Sequence, residues 1–176
     1  MDTESHSRID GSTLHGSRFS SVSESLRTRF ERYRFNLFPA YRLAGGRIRY
    51  ISADWREVRV AVDHCWRTKN IFGTTFGGSI YAAIDPIYAT MLVRLLGDGY
   101  VVWDKAATIE YERPATETLY ARFCLSGAEL ESIRSALEMA DSTTREYEVH
   151  VVDADGVVHA TAEKTIYVGT DESKAA

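Results

Sequence analysis

The stretch Asn70–Leu96, NIFGTTFGGSIYAAIDPIYATMLVRLL, decides how the rest of the chain is arranged. From Ser79 onward almost every side chain in it is apolar or small, and only Asp85 and Arg94 are charged. A helix that is apolar on all sides must be enclosed by other structure. A central Asp, a Pro and two Tyr argue against a membrane span. We therefore interpret residues 77–96 as a helix buried inside a protein core.

Size, charge and cysteine content limit the class of protein. The 176 residues suit one domain, which we expect at 21–169 between disordered tails at 1–20 and 170–176. With a net charge of −4 the chain has no overall basic excess, which argues against a nucleic-acid partner. The amino terminus lacks the apolar core of a signal peptide, and Cys65 and Cys124 show no metal-ligand spacing. We expect a cytoplasmic protein with reduced thiols, no metal and no cofactor.

A first helix is predicted before Pro39, where Ser21 and Glu24 fit a capping box. Apolar side chains recur along it at spacings of three and four: Val22, Leu26, Phe30, Tyr33 and Leu37. Its polar face carries four arginines: Arg27, Arg29, Arg32 and Arg34. The simpler interpretation is a solvated basic face on a helix that packs by its apolar stripe. The alternative is an electrostatic landing site for a phosphorylated ligand or an anionic membrane surface.

The rest of the chain has the alternating pattern of strands, with one further amphipathic helix at residues 127–140. Strands are predicted at 47–52, 58–62, 100–111, 119–125, 147–152 and 157–168. Strands around a single apolar helix predict an α+β fold, in which a curved antiparallel sheet of about six strands wraps that helix. Two copies joined edge to edge would cover the exposed strand, so we expect a homodimer.

The glycine-rich entry to the central helix has a chemical meaning of its own. Gly77 and Gly78 lie at the helix amino terminus, where free N–H groups and the helix dipole favour negative charge, as a tetrahedral oxyanion requires. Asp85 follows about two turns later, next to a proline that can bend the helix and make room for water. Two interpretations of Asp85 stay open. It is a general base or nucleophile, or a structural carboxylate bound by Tyr hydroxyls or by a partner residue across a dimer interface.

The spacing N-x-x-G-T-x-x-G-G-x-x-x-x-x-x-D, from Asn70 to Asp85, resembles the signature of hotdog-fold acyl-CoA thioesterases of the phenylacetic-acid-pathway type. Ile109-Glu-Tyr-Glu-Arg-Pro114 is similar to the strand after the helix in those enzymes. Three shorter matches are closer to the thioesterase-like domain-of-unknown-function group 4442: Phe76-Gly77-Gly78, Asp85-Pro86 and Val102-Trp103-Asp104-Lys105. The resemblance covers roughly residues 24–168, a single-domain length, and implies the hotdog fold.

The resemblance also implies a homodimer with two sites at the interface that are each built from both chains; a tetramer is the alternative assembly. In these sites Asp85 is the nucleophile or general base, Asn70 positions the thioester or water, and the Gly78 N–H holds the carbonyl oxygen. Further substrate contacts are expected at Gly77, Phe76, Phe72, Tyr81, Tyr88, Asp104 and Thr108. Candidates for the coenzyme A phosphates are Arg27, Arg29, Arg32, Arg34, Arg47 and Arg49. Taken alone, Asn70 is better explained as a turn residue, because Asn favours loops.

Two positions depart from the pattern of those thioesterases. Phe76 stands where they often have His before the glycines, and Asp104 occupies the facing-strand position where some have Ser or Thr. Our first hypothesis is hydrolysis of an acyl-CoA or acyl-carrier thioester. The alternative, favoured by Phe76, is a non-catalytic protein that binds acyl-CoA or a fatty acyl group. A dehydratase or hydratase is disfavoured, because that chemistry pairs a carboxylate with a His that this stretch lacks.

Overall fold

The computed structural model describes residues 22–170, which form one six-stranded antiparallel sheet and five helices. The strands are β1 (Gly46–Ile51), β2 (Glu57–Val62), β3 (Tyr100–Tyr111), β4 (Leu119–Cys124), β5 (Ser142–Val152) and β6 (Val158–Thr170). The helices are α1 (Leu26–Leu37), α2 (Pro39–Ala44), α3 (Gly77–Ile84), α4 (Ile87–Leu96) and α5 (Gly127–Met139). The strand order is β1-β2-β4-β5-β6-β3, so β1 and β3 are the two edges.

The central helix and the sheet form one core, as the apolar pattern predicts. Fully or almost fully buried side chains of α3 and α4, such as Ile84, Met91 and Leu92, pack against inward-facing residues of the strands, such as Phe123 and Ile166. The segment Gly77–Leu96 has the length and composition of a membrane span, with a mean hydropathy of 1.3. Its inward side chains are instead enclosed by the protein, which confirms the predicted α+β architecture.

The central helix is interrupted at Asp85 and Pro86, which separate α3 from α4. Proline has no N–H to continue the helical hydrogen bonds, so a break at this position is expected. The buried Tyr41 hydroxyl donates to the carbonyl oxygen of Ala83 at 3.0 Å, just before the break. On the other side, the Thr90 hydroxyl donates to the Pro86 carbonyl at 2.6 Å. These two hydrogen bonds therefore fix the backbone on both sides of the helix break.

The first helix is present, but its apolar stripe faces outward. The exposed fractions are 85% for Leu26, 63% for Phe30, 49% for Tyr33 and 61% for Leu37. The buried side of α1 instead carries Thr28 and the half-buried Phe35. The interpretation that this helix packs by its apolar stripe is thus wrong, because the contacts come from the opposite side.

Several boundaries also differ from the sequence-based expectation. The helix cap is formed by Ser25 and Thr28, whose side chains each accept from the other's backbone N–H, while Glu24 pairs with Arg32 at 2.7 Å. The predicted cap residue Ser21 and the tails at 1–20 and 171–176 lie outside the described residues. Thr170 ends β6, β5 begins five residues before the predicted Tyr147, and the short helix α2 was not predicted.

The contact between Tyr41 and the helix break yields a stability prediction. Replacing Tyr41→Phe leaves the Ala83 carbonyl without its buried donor, which costs about 1 kcal/mol and lowers the melting temperature by roughly 2–4 °C for a domain of this size. Circular dichroism melting measures the change. The control is Tyr33→Phe, which removes an exposed hydroxyl and leaves the melting temperature unchanged. Equal melting of wild type and Tyr41→Phe would contradict a role for this bond in holding the bend.

Candidate active site

The loop before α3 is folded around the side chain of Asn70. Its Oδ1 accepts from the backbone N–H groups of Phe72 at 2.9 Å and Thr74 at 3.1 Å, and its Nδ2 donates to Thr74 Oγ1 at 2.9 Å. Gly73, at a φ of 83°, closes the turn in a conformation that favours glycine. The Asn70 amide therefore builds the loop, which is the turn-residue interpretation. Phe72 lies at the loop tip with 82% of its side chain exposed.

The amino terminus of α3 offers backbone donors. Among residues 22–170, no acceptor is hydrogen-bonded to the N–H of Gly77 or Gly78, as is normal for the first turn of a helix. The Phe76 ring lies against Gly78, where an added Cβ would be 2.3 Å from a ring carbon, and Phe76 is 56% exposed. The Tyr111 hydroxyl donates to the Gly77 carbonyl at 2.9 Å and ties this turn to the end of β3. The N–H groups of Gly77 and Gly78 are therefore available as donors for an oxyanion, next to the exposed Phe76 ring.

Asp85 is bound to a buried lysine that sequence reasoning did not identify. The Lys164 side chain, 0% exposed, extends from β6 and forms a short ion pair with Asp85 Oδ1. Its Nζ also lies 2.8 Å from Asp104 Oδ1 on β3, an ion-pair contact without the alignment of a hydrogen bond, and 3.4 Å from the Tyr81 hydroxyl. The side chain of Asp85 remains 39% exposed and that of Asp104 24%. Two carboxylates thus share one ammonium at the helix break.

Burial and charge act in opposite directions in this cluster. Burial works to lower the pKa of Lys164, but its contacts with Asp104 and Asp85 outweigh burial and the pKa is raised. Burial raises the pKa of Asp104, although the Lys164 ammonium works against this. Burial also raises the pKa of the Tyr81 hydroxyl, and its bond with Asp85 adds to the shift. Lys164 is therefore charged at neutral pH and balances the carboxylates.

The exposed side of Asp85 borders a cavity of about 560 Å³ between the helix break and the two amino-terminal helices. That volume lies within the range of small-molecule sites. Its apolar walls include Phe35, Phe38, Tyr41, Trp55, Ala82 and Pro86. Arg34, Arg94 and Glu31 supply its other charged side chains. A partly exposed carboxylate thus faces an apolar chamber with two guanidinium groups.

The structure brings together only part of the predicted site. Tyr81 and Asp104 join Asp85 through Lys164. Tyr88 does not, because it is 5% exposed and its ring stacks on Tyr147 in the core, with centroids 4.5 Å apart. Thr108 does not either. It is paired in register with Glu163, so it points to the opposite face of the sheet from Lys164.

Asp85 and the glycine amides of the same chain are too far apart to act on one carbonyl group. Seven residues of helix separate Gly78 from Asp85, a rise of about 10 Å. Reacting groups must approach to about 3–3.5 Å. A single chain therefore holds the carboxylate and the oxyanion donors as two separate half-sites.

Solved structures share this architecture. A Pseudomonas aeruginosa protein of unknown function, described as a probable thioesterase, matches with a TM-score of 0.73 at 16% identity, over 84% of this chain and 98% of its own. A thioesterase from Haemophilus influenzae matches with a TM-score of 0.61 at 14% identity, over 84% and 92%. A hypothetical thioesterase from Streptococcus pneumoniae with coenzyme A matches with a TM-score of 0.55 at 17% identity, over 80% and 98%. These likenesses show the hotdog fold.

Sequence comparison agrees with the fold. A search of curated proteins finds no significant match. A family model matches residues 27–168, nearly the whole range covered by β1–β6 and the five helices. The chain therefore belongs to the family described as domain of unknown function DUF4442 and has the hotdog fold.

Proposed function

We propose that the protein is a cytoplasmic hydrolase that cleaves the thioester of an acyl group carried by coenzyme A or by an acyl carrier protein. The observation that carries the proposal is the Asp85 carboxylate, 39% exposed at a helix break and bordering an apolar cavity of about 560 Å³. Structural neighbours described as thioesterases, one of them with coenzyme A, support the same class of reaction. The acyl group occupies the apolar cavity, next to the carboxylate.

The reaction needs a base and a place for negative charge. Asp85 accepts a proton from water while the water oxygen attacks the thioester carbonyl carbon. The resulting oxyanion accepts a hydrogen bond from the Gly78 N–H. The intermediate then breaks its C–S bond and expels the thiolate, which takes the proton back from Asp85 and leaves as free thiol beside the carboxylic acid product. Direct attack by Asp85 is the covalent variant of the same route. Lys164, fully buried, orients Asp85 and does not reach the substrate.

Because Asp85 and the Gly78 amide of one chain lie too far apart, each reaction centre is built from two chains. We assign Asp85 of one subunit and the Gly78 amide of the other to each reaction centre, which agrees with the two-chain sites implied by the family resemblance. The open edge strand β3 supplies the contact, because unpaired N–H and C=O groups along an edge can pair with a second copy. The expected assembly is a homodimer with one continuous sheet.

A second candidate function is binding of an acyl-CoA or fatty acyl group without turnover. Two observations favour it. The Phe76 ring lies against Gly78 at the entry to α3, and the ion pair with Lys164 already occupies Oδ1 of Asp85. In this case the cavity and the dimer serve as a carrier site.

Replacing Asp85→Asn is expected to lower the hydrolysis rate by roughly 10²–10⁴-fold, the usual contribution of a general base. A coloured thiol-release assay across acyl-CoA chain lengths measures the rate. The fold is retained because Lys164 keeps its second partner, Asp104. The matched control is Asp98→Asn, which changes an exposed carboxylate on the loop after α4 and leaves the rate unchanged.

Two results would contradict the catalytic proposal. One is an Asp85→Asn protein that hydrolyses acyl-CoA as fast as wild type. The other is a wild-type protein whose melting temperature rises with acyl-CoA while no thiol is released, which is the behaviour of a binding protein.

Replacing Lys164→Met is expected to destabilise the protein in a pH-dependent way. At pH 7 the two carboxylates lose their shared cation, which costs roughly 2–3 kcal/mol, less than a wholly buried pair because Asp85 is partly in water. Burial already raises the pKa of Asp104, and losing the ammonium raises it further. A carboxyl whose pKa is higher in the folded than in the unfolded state gains stability as the pH falls through the folded value.

The melting temperature of Lys164→Met is therefore lower than wild type by roughly 5–10 °C at pH 7, and the deficit shrinks as the pH falls towards 5. Lys105→Met, which removes an exposed lysine from β3, serves as the control and shows no such trend. A deficit that stays constant between pH 7 and pH 5 would contradict the role of Lys164 in balancing the two carboxylates.

A further inference from the structure

The outward face of α1 is an apolar stripe. Leu26, Phe30, Tyr33 and Leu37 fall within an arc of about 60° on the helix, and all are between 49% and 85% exposed. The stripe continues into Phe38 and Leu43, which are 63% and 69% exposed. It lies opposite Thr28 and Phe35, the residues by which α1 contacts the protein body. We call the set Leu26, Phe30, Tyr33, Leu37, Phe38 and Leu43 the outer stripe.

Arginines line both sides of the outer stripe. Arg27 and Arg34 lie on one flank and Arg29 on the other, and all three are exposed. Residues 26–44 contain five arginines and one glutamate, a net charge of +4 in a chain whose total is −4. The glutamate, Glu31, is mostly turned inward, where it accepts from Trp55 at 3.0 Å and lies 3.7 Å from Arg94. It also lies 3.5 Å from the exposed Arg27, so it offsets part of the charge of that one arginine and leaves Arg29 and Arg34 unaffected.

We infer that the outer stripe and its arginines form a docking surface for an anionic lipid bilayer. A helix with a row of Leu and aromatic side chains on one face and Arg beside it lies in the membrane interface, with its apolar face in the acyl boundary. The arginines meet acidic headgroups, which attract basic side chains near the surface. The protein binds the bilayer peripherally, and its core helix stays inside the sheet.

Charge and placement favour lipid over a second copy of the chain. Two α1 helices packed face to face would bring arginine rows against each other, because a two-fold contact uses the same patch on both subunits. The helix α1 packs on β1, the sheet edge opposite in strand order to β3. A dimer joined through β3 therefore uses the other end of the sheet.

The docking surface adjoins the cavity that contains Asp85. Phe38 belongs to the outer stripe and to the cavity wall, and Arg34 belongs to the flank and to the cavity. Docking therefore places the cavity next to the lipid. In this position an acyl chain passes directly from the bilayer into the cavity. That transfer rests on the proposed function, whereas lipid binding itself does not.

Vesicle sedimentation of the full-length protein tests the inference. The protein is expected to bind vesicles of equimolar phosphatidylcholine and phosphatidylglycerol, and to bind pure phosphatidylcholine at least about tenfold more weakly. Raising the salt concentration weakens binding, because exposed charges are screened. The double variant Phe30→Ser/Leu37→Ser loses at least about tenfold in partitioning through lost apolar burial. The triple variant Arg27→Gln/Arg29→Gln/Arg34→Gln loses about fivefold per arginine.

Matched controls change exposed residues that lie outside the outer stripe and its flanking arginines. Met139→Ser removes an apolar side chain that is 86% exposed on α5, and Arg49→Gln removes an exposed arginine on β1. Both are expected to bind vesicles like wild type. Absence of binding, or equal binding to both vesicle types at all salt concentrations, would overturn the inference. A halved molar mass of Phe30→Ser/Leu37→Ser in light scattering would also overturn it, because the stripe would then be a contact between subunits.

Discussion

The buried ammonium of Lys164 is the interaction on which the candidate site depends. It joins Lys164 on the inner face of β6 to Asp104 on β3 and to Asp85 at the break in the central helix. Burying an ammonium with two partly exposed carboxylates is costly, and the contacts between these three groups offset the cost. Apolar side chains at these three positions would avoid the cost of burying charge and would stabilise the fold at least as well. The retained charge therefore points to the chemistry of the cavity, on whose border Asp85 keeps 39% of its side chain exposed.

Asp85 lies at the helix break, between the sheet and the cavity. Pro86 has no N–H and interrupts the helical hydrogen bonds, so Asp85 and Pro86 lie between α3 and α4. Asp85 pairs with Lys164 of β6 and also lines the cavity. Tyr41 fixes the end of α3 from α2, and residues of α1 and α2 line the same cavity. The helix break therefore stands where the core and the cavity meet.

The sequence predicts the fold well because its pattern is strong. The all-apolar helix, the alternating strands and the glycine loop require an α+β sheet around a helix, and the six strands match within a few residues. The site is predicted less well. With the structure known, Lys164 stands out as a lysine among the inward-facing residues Ala160, Ala162, Ile166 and Val168 of β6. Its partners Asp104 and Asp85 lie 60 and 79 residues away in sequence, so only the register of the folded strands brings them together. Helical spacing also cannot say which face of α1 is turned outward, so the stripe was assigned to the wrong side.

The central claim is that each reaction centre takes its carboxylate from one subunit and its oxyanion donor from the other. Subunit complementation tests it most directly, with Asp85→Asn and Gly78→Pro chains that carry different purification tags. Proline removes the Gly78 N–H and is tolerated in the first turn of a helix, and the exposed Phe76 ring moves aside for its Cβ. Each variant alone is expected to be inactive, and the mixed dimer regains one intact site, so an equal mixture recovers about a quarter of wild-type thiol release. Mixed dimers that form and stay inactive would contradict the account.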